Sequence, residues 1–296
     1  MTPAIASPWV FFVSVYCWTW SFWFAAAALG TSVETTPGSV LLRLGLLGPM
    51  LGGIAFTYLT RDRQGRREYW SRVIALRRIP ATWYLVILLF APALMTLALL
   101  LDVASGGTVV PALRERASSL VAAPAVVIAF AFRVLINGPL PEELGWRGYV
   151  LDRLQTRWNA LTSSLVLGAV WALWHLPLFF FPGMIHCAQG VGSPWFWQFM
   201  GSVVPMAIIL TWIFSNTRRS TLAAILFHFV CNATYDLGNV TARTNLYATL
   251  LWLAAAVAVV AWWGPGTLTR QGRRRGTVEA ETAPEIRETP ERSFPS

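Results

Sequence analysis

The sequence predicts an all-α fold, a polytopic transmembrane helical bundle of about eight spans within 296 residues. Three observations carry this expectation. The chain is 55% hydrophobic and only 12% charged, whereas a soluble domain carries about a quarter charged residues. Apolar runs recur along its length, most of them near the roughly 20 residues that cross about 30 Å of hydrocarbon. The basic residues sort between alternate loops.

The first run, 8–29, is preceded by no Arg or Lys and is longer than the apolar region of a usual signal peptide, so it reads as a retained span. A short second run covers 44–60. Between it and the third run, 83–103, lies the basic segment 61–78 with Tyr69 and Trp70, which reads as an interfacial helix. Further runs follow at 121–140, 161–181, 195–214, 221–238 and 246–264, the seventh being mixed in polarity. Sixteen Trp and 17 Phe suit a chain with two membrane interfaces. Residues 265–296 are rich in Arg, Glu, Thr and Pro and are expected to form a disordered cytoplasmic tail. Its basic half, Arg270 to Arg275, would favour anionic headgroups. The chain thus divides into N-terminal helices with a basic loop (1–120), a helical core (121–264) and the tail (265–296).

No Lys occurs, so all 23 basic residues are Arg. With the amino terminus inside, 18 of them fall on the inner side, in 61–78, 147–157, 218–219 and the tail. Arg114, Arg116 and Arg243 fall outside, and Arg43 and Arg133 lie at or within spans. The positive-inside rule then predicts both termini in the cytoplasm and a multi-pass protein of the inner (plasma) membrane. A net charge of +9 would suggest nucleic-acid binding in a soluble chain. Here the charge lies in loops between apolar runs, so the expected partner is the lipid bilayer and not nucleic acid. Cys17, Cys187 and Cys231 match no zinc or redox spacing and give no disulfide framework.

Ionisable residues within an apolar bundle are costly, about 2.5–3.5 kcal/mol each on insertion scales, which makes them functional candidates. Three segments stand out. In Pro139-Leu-Pro-Glu142-Glu143-Leu-Gly-Trp-Arg147, two adjacent carboxylates at the end of the fourth run are hard to keep ionised together, which suits acid/base work. Glu143 and Arg147 are spaced to pair on a helix. The bland alternative is an ordinary helix start, with Pro141 and acids in its first turn. In Trp171-Ala-Leu-Trp174-His175-Leu-Pro177, His175 stands one turn beyond Trp171, whose ring would wall a site. In the seventh run, His228, Asn232 and Asp236 recur every four residues as one polar stripe; alone, such a stripe also serves as polar contact between spans. Carboxylates, two imidazoles and an amide are what hydrolysis of a peptide bond needs: a group to take a proton from water and donors for an oxyanion. The same set permits a zinc ion with an open position for water. Arg43, Arg133 and His186 fit no motif, although a carboxylate such as Asp236 would suit Arg133.

These segments resemble the CPBP (Abi) family of CAAX proteases and bacteriocin-processing enzymes, in particular type II CAAX prenyl endopeptidases. The family pattern is Glu-Glu-x-x-x-Arg, then Phe-x-x-x-His, then His-x-x-x-Asn/Asp on separate membrane helices. Here they stand as Glu142-Glu143-x-x-x-Arg147, Trp171-x-x-x-His175 and His228-x-x-x-Asn232, with Trp in place of Phe. The motifs span about residues 139–238. The resemblance implies an intramembrane endopeptidase acting on a membrane-associated peptide or protein. It implies that Glu142, aided by His175, activates water; that His228 and Asn232 stabilise the oxyanion; and that Glu143 and Arg147 orient the site. If Zn2+ is bound, Glu142, His175, His228 and Asn232 would surround it. Two other readings keep the same helices: a non-catalytic scaffold or self-immunity protein, and a small transporter. A transporter should show broken helices repeated in two halves, and no such internal symmetry is visible.

Overall fold

A computed structural model of the chain describes residues 5–107, 124–238 and 240–270. The expected outer-loop Arg114 and Arg116, and the tail beyond Arg270, lie outside the described residues. Within them the chain is helical, with no strand. The helices are α1 (Pro8–Ala28), α2 (Thr36–Leu46), α3 (Gly48–Thr60), α4 (Arg63–Ile74), α5 (Ala81–Ala104) and α6 (Pro124–Ile136). There follow α7 (Pro139–Gly145), a π-helical turn (Trp146–Val150), α8 (Leu151–Leu154), α9 (Ala160–Trp174), α10 (Ile185–Gln189), α11 (Pro194–Asn216), α12 (Thr221–Gly238) and α13 (Ala242–Trp263).

Among the described residues, seven helical stretches are long and apolar enough to span a bilayer, one of them the joined α2–α3 over Thr36–Thr60. The eighth expected span, α12, is a full helix of 18 residues whose His228, Asn232 and Asp236 lower its hydropathy. Its placement explains how so polar a helix is accommodated: α5, α6, α7 and α11 pack around it. The outer faces are apolar, with Leu85, Ile128, Phe132 and Trp197 all more than 60% exposed, as lipid-facing positions must be.

One stretch differs from the sequence reading. The Glu pair was expected at the end of the fourth run, and Arg147 among the loop arginines. The helical path instead continues over Ala125–Leu154, so Glu142, Glu143 and Arg147 all lie inside the span. Apolarity alone ended the run too early, because the polar side chains here are satisfied by one another. The beginning of the expected tail is also ordered. The Pro265 and Gly266 carbonyls accept from the free N–H groups at the start of α9, Leu161 and Ala160, at 3.0 and 2.9 Å. Leu268 is fully buried, and its carbonyl accepts from Asn216 Nδ2 at 2.8 Å.

Three devices hold the site region. The first span packs into it: Phe11 stacks against Tyr149 at 5.3 Å and Trp23 against Trp174 at 4.8 Å. Gly53 and Gly145 let α3 and α7 touch backbone to backbone, since a Cβ on Gly53 would strike the Leu144 carbonyl and one on Gly145 the Pro49 carbonyl. On the far side, buried Asp102 ties α5 to α13 by accepting from Arg243, from Thr241 at 3.0 Å and from Thr244 at 2.5 Å.

Candidate active site

Helix α6 ends at Ile136, and after the turn Asn137-Gly138, Pro139 begins a new helix at a position that needs no N–H. Glu142 enters in the first turn of α7, its own N–H donating to the Gly138 carbonyl at 2.9 Å. A carboxylate there faces the positive end of the helix. The π-helical turn that follows carries Arg147; such turns are frequent at functional sites.

The Glu143 carboxylate is fully buried. Arg147 Nη1 donates to both of its oxygens, at 3.0 and 3.1 Å, so the expected pairing across one turn is present. His228 Nδ1 lies 2.9 Å from Glu143 Oε1. The carboxylate accepts there, which places a proton on Nδ1 and leaves Nε2 for the site. Arg147 is itself fully buried, with its guanidinium carbon 4.8 Å from the centre of the Trp171 ring.

Trp171 joins the three motifs. Its indole Nε1–H donates to Glu142 Oε2 at 2.5 Å. Its carbonyl accepts from His175 Nδ1 at 2.8 Å, which fixes the proton on that nitrogen and leaves Nε2 as the acceptor. The His228 ring meets its ring edge to face at 5.3 Å. His175 packs further against Trp174 and Phe199, at 4.8 and 5.1 Å.

Asn232 reaches the same place by another route. A Cβ built on Gly138 would lie 3.0 Å from Asn232 Nδ2 and 3.3 Å from Glu142 Oε1. Both groups, an amide donor and a carboxylate acceptor, thus converge on the same face of Gly138, where any side chain would press on both. All six residues singled out in the sequence therefore gather around Trp171 and Gly138. Sequence reading gave Trp171 only the role of a wall and passed over Gly138. The spacing Trp171-x-x-x-His175 was a signal for the first. The break Asn137-Gly138-Pro139 was the only signal for the second.

The other singled-out residues lie elsewhere. Asp236 is exposed and pairs with Arg133 across α12 and α6 at 2.8 Å, so the polar stripe of α12 runs from the site to an ion pair at the bundle surface. Arg43 is exposed on α2. His186 packs its ring between Phe179 and Phe199 at 5.2 and 4.8 Å.

The expected zinc set fits poorly. Among the described residues, no three His, Cys, Asp or Glu side chains come together as metal ligands. Glu142 Oε2 is engaged by the Trp171 indole, and Glu143 by Arg147 and His228. Glu142 Oε1 and the Nε2 atoms of His175 and His228 stay open, but no three such side chains are gathered as an ion's ligands among the described residues, so we derive no step through a metal.

Residues 123–234 match a family described as type II CAAX prenyl endopeptidase Rce1-like. Over 257 residues the chain is 30% identical to CAAX prenyl protease 2 of Methanococcus maripaludis, covering 86% of this chain and 93% of that protein. The chain belongs to the Rce1-like CAAX endopeptidase family. Like that family it is a multi-pass membrane protein, and it is an intramembrane endopeptidase. The segment matched to the family begins just before α6 and ends two residues short of Asp236. It thus contains Glu142, Glu143, Arg147, Trp171, His175, His228 and Asn232 and omits the Asp236 end of the stripe.

Proposed function

We propose that this endopeptidase hydrolyses a membrane-associated peptide with a water molecule activated by Glu142. The observation that carries the reading is the convergence of Glu142 Oε1 and Asn232 Nδ2 on one face of Gly138, while the Trp171 indole holds Oε2. A water held between these two groups donates to Oε1 and accepts from the Asn232 amide. On attack its oxygen bonds to the peptide carbonyl carbon and its proton passes to Glu142; the same proton then leaves on the departing amine. His175 Nε2, left as an acceptor by the bond to the Trp171 carbonyl, assists that transfer. Asn232 and an imidazolium His228 donate to the oxyanion. Glu143 supports His228 in that form, and Arg147 holds Glu143 in place.

The cytoplasmic placement of both termini, in the inner membrane, belongs to this proposal and rests on the arginine distribution. The relative of matching length is named a prenyl protease. The class of substrate we propose is accordingly a peptide held at the membrane by an apolar or lipid-modified segment.

Chelation tests the water reading against the zinc reading. Detergent-purified protein, freed of metal by a chelator, should keep its rate on a membrane-anchored peptide, and added zinc should not raise it. Activity silenced by chelation and restored by zinc would overturn the proposal.

A further inference from the structure

Away from the catalytic set, a cavity of about 380 Å³ is lined by Arg61, Asp152, Arg153, Gln155, Thr156 and Arg219. Arg61 caps the end of α3, Asp152 and Arg153 sit where the long span Ala125–Leu154 ends, and Arg219 lies in the turn between α11 and α12. The cavity therefore opens where three membrane-embedded elements end together.

The charge there is unbalanced. Asp152 accepts from Arg61 at 2.8 Å, Arg72 at 2.9 Å and Arg219 at 2.5 Å. Glu68 is shared by Arg72 and Arg78 at 3.0 and 2.5 Å. With Arg153, five guanidiniums stand against two carboxylates. Donors also exceed acceptors, since the buried Arg61 Nε, Arg153 Nε and Gln155 Nε2 have no hydrogen-bond partner among the described residues.

The turn that delivers Arg219 is strained. Arg218 and Arg219 have φ of 51° and 56°, a left-handed pair in which neither is glycine. Such conformations persist only where the surroundings impose them, and they concentrate at ligand clamps. Here Arg219 N donates to the Phe214 carbonyl and Arg78 holds the Arg218 carbonyl, both at 2.9 Å. The result is that Arg219 reaches Asp152 and Gln155 on the cavity wall.

We propose that this cavity is a phosphate-binding site. Guanidinium forks match phosphate oxygens in geometry and charge. Basic cavities between membrane helices bind anionic headgroups, and neighbouring α4 has an interfacial character, with Ile74 and Leu76 exposed beside Arg63, Arg66 and Arg67. The phosphate is thus carried by an anionic phospholipid or is free in solution.

The test uses the full chain in nanodiscs of phosphatidylcholine with or without phosphatidylglycerol, with retained lipid read by native mass spectrometry. The parent should retain phosphatidylglycerol in preference to phosphatidylcholine. Arg153→Gln and Arg219→Gln should weaken that retention about tenfold, whereas Arg157→Gln, an exposed arginine off the cavity wall, should not. Thr156→Asp, at an exposed wall position, brings a repelling charge without touching the buried network and should also abolish retention. Saturable binding of inorganic phosphate, lost in the same variants and without preference between lipids, would assign the site to free phosphate. Equal losses in Arg157→Gln, or unchanged binding in folded Thr156→Asp, would overturn the proposal.

Discussion

The Trp171 indole N–H donates to the carboxylate of Glu142 across 2.5 Å, from the last turn of one membrane helix to the first turn of another. Phenylalanine, which the family pattern carries at this position, offers a smaller aromatic ring with no N–H to donate. Trp171→Phe should therefore keep the packing against His228 and Arg147 and release Glu142 Oε2. We expect kcat to fall on the order of tenfold, as for a lost bond to a charged group, with the melting temperature nearly unchanged. Peptide turnover and a thermal melt of the purified variant decide this; unaltered kcat would remove Trp171 from the positioning of Glu142.

Gly138→Ala tests the space beside Glu142. The added methyl would sit 3.0 Å from the Asn232 amide and 3.3 Å from Glu142 Oε1, and would press on both groups proposed to hold the attacking water. The neighbours need shift only by a few tenths of an ångström, so the fold should survive. Turnover should drop by about 10²-fold or more, the scale of losing a positioned proton transfer. Turnover near that of the parent would show that the water approaches from another side.

Arg147→Ala leaves the fully buried Glu143 without its guanidinium partner. Removing one member of a buried ion pair costs about 3–5 kcal/mol, so the folded fraction in detergent should fall along with activity. The double variant Glu143→Gln, Arg147→Met removes both charges and should recover much of the lost melting temperature while staying inactive. Stability lost equally in both variants would contradict the pairing as the cause.

His186, in α10 outside the spans, is pushed down to a pKa of about 4 by burial, from an ordinary value of 6.5. Its Nδ1 has no hydrogen-bond partner among the described residues. The unfolded chain then binds a proton between about pH 6.5 and 4 that the folded chain does not, so stability falls as pH drops through this window. Melting curves across that range should fall more steeply for the parent than for His186→Gln. Parallel curves would show that the ring is not held neutral by its phenylalanine surroundings.

The spans were legible because apolarity and arginine asymmetry are properties of the linear chain, and the catalytic candidates because ionisable residues are scarce in it. Glu143 and Arg147 were paired correctly because both lie on one helix. What escaped depends on where helices meet. That Glu142 and Glu143 are buried side by side follows from Trp171 on α9 and His228 on α12 respectively, not from their neighbours in sequence. The need for glycine at 138 arises because Asn232, on another helix, comes close to it. Likewise Leu268, alone among polar residues, gives no hint that its turn closes the end of α9 and α11.

The base itself is tested most directly by Glu142→Gln, which keeps the shape of the side chain and its bond from Trp171 while removing the group that accepts the proton. Turnover of a membrane-anchored peptide by the purified, folded variant should be lower than that of the parent by a factor of about 10²–10⁴, with its melting temperature preserved. Full turnover by folded Glu142→Gln would contradict the assignment of Glu142 as the activator of water.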